Sequence, residues 1–224
     1  MKNRLLFIPF LLLLSCGFLF CGCTPVNPLY DLVSELRLNL YHGESQNYSI
    51  KAHYGFREEP YENNAKIGKK VYKLTFKLLD KCSDDATYSL SFTYNSTPYK
   101  STFKLDPISS SLIASVEVEN FNLDEFKIYL TTSSTSEIIT LKSILPENTI
   151  DYKTALDSLY QNQRTMIDGF CDQNGVYNLE IRERITVKDG APYWYVGLAG
   201  GFDNLKALLI DGLNGEILAI REIF

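Results

Sequence analysis

The sequence predicts a mainly β chain: a β-sandwich in the N-terminal half, then a small α+β unit of one helix packed on a four-stranded antiparallel sheet. Three observations carry this. From Leu36 to Leu141 apolar residues recur at every second position, the period that lines one face of a half-buried strand. After Pro146 the spacing becomes helical. From Leu179 onward the period returns to two.

In the first half, Leu36, Leu38 and Leu40 open the alternation, and Tyr48, Ile50, Ala52, Tyr54 and Phe56 continue it. Tyr72 to Leu78, Tyr88 to Tyr94, Phe103 with Leu105, Leu112 to Val118, Phe126 to Leu130 and Ile139 with Leu141 follow. Turn-prone stretches separate them: Glu59 to Asn64, Ser83 to Asp85, Asn95 to Pro98, Asp106-Pro107 and Thr131 to Ser136. Short strands with one apolar face each bury those faces against one another, so the expected unit over residues 35–145 is an immunoglobulin-like β-sandwich.

The second unit is expected over residues 146–224, with the boundary near Leu145 to Thr149. Tyr152, Ala155, Leu156, Leu159, Tyr160, Met166, Ile167 and Phe170 mark one amphipathic helix, with Thr149 or Asp151 as N-cap and Gly169 or Gly175 as the stop. Strands follow at Leu179 to Val187, Tyr193 to Ala199, Leu205 to Asp211 and Ile217 to Ile223. Lys188-Asp189-Gly190 and Asn214-Gly215 supply turns, the latter because both residues tolerate positive φ.

Ahead of both units, Lys2 and Arg4 precede an apolar run from Leu5 to Phe20 that ends at Cys21-Gly22-Cys23-Thr24-Pro25. This resembles a bacterial lipoprotein signal peptide, whose cysteine becomes the lipidated first residue of the mature chain. Cys23 is the expected lipidation site, because Gly22 before it is small and cleavage there removes the whole apolar run. Cys16 would leave Gly17 to Phe20 exposed, and Cys21 follows the bulky Phe20. Residues 1–22 are then the signal and 23–34 a linker. An uncleaved anchor is the alternative, since the run has the length of a spanning helix. The resemblance implies an exported protein, lipid-anchored to the outer face of a bacterial membrane, at the cell surface or in the periplasm.

A second resemblance lies in Leu205-Lys206-Ala207-Leu208-Leu209-Ile210-Asp211-Gly212-Leu213-Asn214-Gly215-Glu216-Ile217-Leu218. An apolar strand ends in Asp, a short turn ends in Gly-Glu, and an apolar strand follows, which is similar to the closing hairpin of PepSY domains. Tyr193-Trp194-Tyr195-Val196 would be the preceding strand and the helix from about Asp151 the opening one. The resemblance implies a small non-catalytic module that binds or restrains peptidases.

Composition narrows the function classes. The formal net charge is −5, and loss of Lys2 and Arg4 with the signal takes it to −7. That balance disfavours nucleic acid and anionic lipid headgroups as partners. Only Cys82 and Cys171 remain beyond the anchor, in different halves, and two lone thiols are the default reading. Asn47-Tyr48-Ser49 and Asn95-Ser96-Thr97 fit the glycosylation pattern, which chance explains in a bacterial chain.

No catalytic, cofactor or metal site is expected. His42 stands at a strand end and His53 on a polar strand face, and no Gly-x-Ser-x-Gly elbow, His-Glu-x-x-His pair or phosphate-cradling glycine loop occurs. Aligning Gly175 of Asp172-Gln173-Asn174-Gly175 with an EF-hand glycine puts Phe170 and Ile181 at ligand positions, and neither can ligate. Adjacent carboxylates at Glu58-Glu59, Asp84-Asp85 and Asp124-Glu125 point to opposite strand faces or into turns. What remains is aromatic: Tyr193, Trp194 and Tyr195 put rings on both faces of one strand, so at least one lies away from the helix-covered core. The expectation is a binding protein that takes a peptide or peptidase there, with strand addition at an adjacent edge. The alternative is a structural or adhesive envelope protein whose β-sandwich contacts glycan or a host surface.

Overall fold

A computed structural model describes residues 26–60, 68–79, 87–133, 135–200 and 204–223. The signal, Cys23 and Cys82 lie outside the described residues. Among those described, no helix is long and apolar enough to cross a membrane.

The chain is mainly β. A 3-10 helix, Pro28–Leu32, leads into β1 (Val33–Glu44), β2 (Ser49–Glu59), β3 (Lys69–Leu78), β4 (Ser89–Tyr94), β5 (Thr97–Thr102), β6 (Lys104–Asp106), β7 (Ser111–Glu117), β8 (Glu125–Thr131) and β9 (Ser136–Ser143). Helices α1 (Tyr152–Asn162) and α2 (Arg164–Asp168) precede β10 (Glu180–Lys188), β11 (Ala191–Ala199), β12 (Leu205–Asp211) and β13 (Ile217–Ile223). The strands join in one sheet ordered β13-β12-β11-β10-β1-β2-β3-β7-β6, while β5-β4-β8-β9 folds over it and returns to β1. This is a sandwich closing toward a barrel, extended at one side by the helix-covered meander.

Strand β1 is the hinge of the architecture. Its first half pairs with β10 in parallel, Leu36 opposite Glu183, and its end pairs with β9 antiparallel, Tyr41 opposite Ser143. Between them the register against β2 shifts between Arg37 and Asn39. At this crossing Gly55 lies so near β1 that a Cβ would come 1.8 Å from the Leu36 carbonyl oxygen, which only glycine permits.

Two cores result. The sandwich core holds Tyr41, Ile50, Leu74, Phe76, Leu90, Phe92, Phe121, Phe126, Ile128, Leu130, Ile139 and Leu141, among others. The second core packs Ala155, Leu156 and Leu159 of α1 and Ile167 of α2 against Ile181, Ile185, Trp194, Val196, Leu208 and Ile210. Leu29, Val33, Leu36 and Phe56 belong to it as well, and Leu38 and Tyr72 pack against both cores. The stretch 23–34, expected as a linker, is therefore structural where it is described. Asn27 caps the 3-10 helix by accepting from the Leu29 amide and donates to the Leu156 carbonyl and the Asp157 carboxylate. The Tyr30 hydroxyl donates to Asp157 at 2.6 Å.

The helix expected as one piece is two, broken at Gln163, whose φ of −125° leaves the helical range. Asp151 is the N-cap, accepting from the Thr154 amide at 2.8 Å. Gly169 ends α2 without a left-handed turn, at φ −64°. Beyond it Asp172 accepts from the amides of Asn174 and Val176, and Gly175 takes φ +77°. The Asp172 carboxylate thus organises a turn, and those two backbone hydrogen bonds hold its pKa below the ordinary value.

Candidate functional site

Strand β11 runs between β10 and β12, so the three aromatic residues expected to bind a partner do not border an edge. Alternation separates them. Trp194 points into the second core, 2% exposed, where its Nε1 donates to the Ile150 carbonyl at 3.0 Å. Its indole is a packing residue, a correction to its expected place on a binding surface. Tyr193 and Tyr195 turn to the opposite, uncovered face, with Tyr195 39% exposed. Among the described residues β13 pairs only with β12, which leaves it as the edge on this side of the sheet. Leu218 and Ile220 lie along it at 45% and 44% exposure, and Leu213 flanks them in the preceding turn. The hairpin that presents β13 is built as its residues demand: Asp211 Oδ1 accepts from the amides of Leu213 and Asn214, Asn214 Oδ1 accepts from Glu216, and Gly215 takes φ +78°.

The uncovered face of the long sheet carries a second feature, which the sequence reading missed. Arg182 and Arg184 alternate with the inward Ile181, Glu183 and Ile185 on β10. The parallel pairing of β1 sets Arg37 opposite Arg184 and Glu35 opposite Arg182. The β2 pairing brings Arg57 opposite Glu35, and His53 follows along the same face. Glu35 Oε1 accepts from Arg37 Nε at 3.2 Å and Oε2 from Arg184 at 3.0 Å. Burial pushes the Glu35 carboxyl up, but the charges and hydrogen bonds of Arg184 and Arg37 outweigh it and hold it below the ordinary value. Burial lowers Arg37, and the Arg184 charge adds to the effect. Burial likewise lowers Arg182, with Arg184 and Arg57 contributing. His53 is pushed down to about 4 by burial first and by the Arg37 charge next, so it is neutral at physiological pH. The alternation that put Arg182 and Arg184 on one face was legible; the β1–β10 pairing that gathers them around Glu35 was not.

A third, smaller cleft of about 360 Å³ opens on the sandwich, where Tyr72, Tyr94 and Tyr99 meet Asn95, Glu117 and Glu119. Tyr99 stacks on Phe92 at 5.2 Å, and the Tyr94 hydroxyl donates to the Asn120 carbonyl at 2.6 Å.

The histidines assemble no relay. His42 Nε2 stands 3.0 Å from Ser49 Oγ and 3.3 Å from Glu44 Oε1, so one ring nitrogen meets both groups. A nucleophile–base–orienter arrangement needs the carboxylate on the other nitrogen. Among the described residues no group of three or more His, Cys, Asp or Glu could hold a metal ion. Cys171 is half-buried. Comparison with known protein families, characterised proteins and solved structures returned no match.

Proposed function

We propose that this chain is a non-catalytic exported binding protein, tethered to the outer face of a bacterial membrane through Cys23, whose PepSY-like C-terminal unit takes a peptide or peptidase. The partner adds an extended segment along β13. The observation that carries the reading is that edge: seven residues paired on one side only, with Leu218 and Ile220 each nearly half exposed. Exported proteins normally protect such an edge with charge, proline or a covering element, because unpaired backbone groups beside apolar side chains invite another strand. Arg221 and Glu222 put charge only at its far end, and the stretch from Ile217 to Ile220 suits backbone hydrogen bonding to a peptide, with Leu218 and Ile220 supplying apolar contact. Ile220 shares a face with its cross-strand neighbours Leu208 and Val196, so Tyr195, on the other face, stands outside this contact; the sandwich, which we read as immunoglobulin-like, holds the unit away from the bilayer.

The test immobilises the mature chain and passes secreted peptidases and peptide libraries over it, with Leu218→Lys and Ile220→Lys as controls. The expected result is a complex that slows amide exchange in β13 and weakens at least tenfold in either variant. Absence of any complex, or one indifferent to both lysines, sinks the reading. Retention of wall or host glycans that is lost in Tyr99→Ala would favour the second reading, glycan binding in the cleft of Tyr72, Tyr94 and Tyr99.

A further inference from the structure

We infer that the β13 edge selects its partner by sequence: it takes an extended segment, added antiparallel, that presents an acidic residue, an aliphatic one and a large aromatic one in chain order. This rests on the peptide reading above and says which peptide. Leu209 pairs with Ala219 and Ile210 with Ile217, so the ladder skips Leu218; beyond that shift it is regular, with Ile220 opposite Leu208 and Arg221 opposite Ala207. Ala219, Ile220 and Arg221 are therefore the three side chains that a neighbouring strand meets in register.

Charge fixes the first position. The ionisable side chains of β12 and β13 are Lys206, Asp211, Arg221 and Glu222. Asp211 stands at the hairpin end, where it accepts from the amides of Leu213 and Asn214. Lys206 Nζ donates to Glu222 Oε1 at 2.6 Å, so these two offset each other. Arg221 is what remains: it is exposed, its neighbours on the uncovered face are Ala207 and Ala219, and among the described residues its guanidinium meets no carboxylate. A lone cation on an edge strand discourages all partners alike if it only guards the edge. Facing a carboxylate on an added strand, it instead contributes a cross-strand charge pair with the planar fork that suits two oxygens.

Shape fixes the other two. Ile220 lies on the helix-covered face with Leu208, yet Leu208 is buried and Ile220 is nearly half exposed, so the helical layer stops short of it. An aliphatic residue opposite Ile220 would complete that cover. Ala219 lies on the other face, exposed, with Leu209 half-buried next to it. Strands stand about 4.8 Å apart, so an aromatic ring opposite the small Ala219 can lie across it and reach Leu209. From β10 to β13 every neighbour is antiparallel, and a segment that continues this order meets Arg221 first and Ala219 last.

The test presents the full-length chain, in nanodiscs of zwitterionic lipid, with short end-blocked peptides that carry Asp-Ile-Tyr in a frame of Ser and Thr. Fluorescence anisotropy reads affinity, and amide exchange locates contact on β13. Expected is binding that weakens about fivefold at low salt when Lys replaces the Asp, and that weakens again when the order is reversed to Tyr-Ile-Asp. Arg221→Glu should turn the preference toward the Lys peptide, Arg221→Gln should erase it, and high salt should shrink it in the parent chain. Equal affinity for the Asp and Lys peptides, a preference unchanged in Arg221→Glu, or both variants binding every peptide more tightly would overturn the inference and leave the peptide reading standing. A preference for the reversed order would overturn the antiparallel arrangement. Failure of every peptide to bind would sink the peptide reading and this inference with it.

Discussion

The two cores of this molecule are built to different standards. The sandwich interior is apolar and aromatic throughout, with Phe126 at its centre. Its ring lies 4.9 Å from Phe121, 5.2 Å from Tyr41 and 5.8 Å from Phe92, at angles between 55° and 84°. The hydroxyl groups that enter it are satisfied at the margin, Tyr41 by Asn39 and Tyr94 by Asn120. The core beneath α1 instead contains Glu183, fully buried, with neither carboxylate oxygen hydrogen-bonded. The β13 edge proposed to take a partner belongs to the sheet that covers this second core, so the dry sandwich reads as the scaffold and the compromised core as the support of the working surface.

The largest test of that division is Phe126→Ala. Removing a ring packed on four aromatic neighbours leaves a cavity that rigid strands cannot close, and roughly 3–5 kcal/mol of stability should be lost. Chemical denaturation measures it. A loss below about 1 kcal/mol would mean that the sandwich collapses readily and is no more rigid than its neighbour.

Much of this contrast could be read from the residues. The alternation in β2, β3, β4 and β8 located the sandwich core, and Asp211 to Gly215 located the final hairpin, because each signal is local and repeats a single period. Glu183 was legible too, standing between Ile181 and Ile185 at an inward position that the reading passed over. Strand β5 was not. Its residues are mostly exposed and polar, so no alternation marks it, and the turn before it is only Asn95-Ser96, at φ +47° and +62°, with Pro98 already in the edge strand. The parallel pairing of β1 with β10 joins segments about 150 residues apart, and no local signal encodes such a contact. That pairing both merges the expected linker into the second core and assembles the arginines, so the basic groove was invisible for the same reason the linker was misread.

An intermediate effect is expected at Glu183, with the opposite sign. Burial raises its carboxyl well above the ordinary value of 4.5, and the negative charge of Asp151 adds to the shift. The folded chain therefore keeps a proton that the unfolded chain releases, and stability from this group declines as pH rises above about 4.5 until the folded-state value is passed. Glu183→Met should stabilise the protein by roughly 1–3 kcal/mol at neutral pH, since an apolar side chain of similar volume removes the orphaned carboxyl. The gain should shrink toward pH 4, where the carboxyl is protonated in both states. Urea midpoints at pH 4 and pH 7 check both statements, and a destabilised variant at pH 7 would show that Glu183 has a partner the second core depends on.

Asp151 gives the smallest effect and the sharpest separation of causes, because it plays two roles at once. Its carboxylate caps α1 through the Thr154 amide, and its charge adds to the upward shift that burial gives the Glu183 carboxyl. Asp151→Ala removes both and should cost about 1 kcal/mol from the lost cap, partly offset by relief of Glu183. Asp151→Asn keeps a side-chain oxygen for the cap, since asparagine and aspartate are equivalent there, and removes only the charge. It should leave stability at pH 4 nearly unchanged and raise it slightly at pH 7. If Asp151→Asn instead loses as much as Asp151→Ala at both pH values, the carboxylate charge at the helix start outweighs its repulsion of Glu183. The second core would then be tuned by the helix end and not by the buried carboxyl.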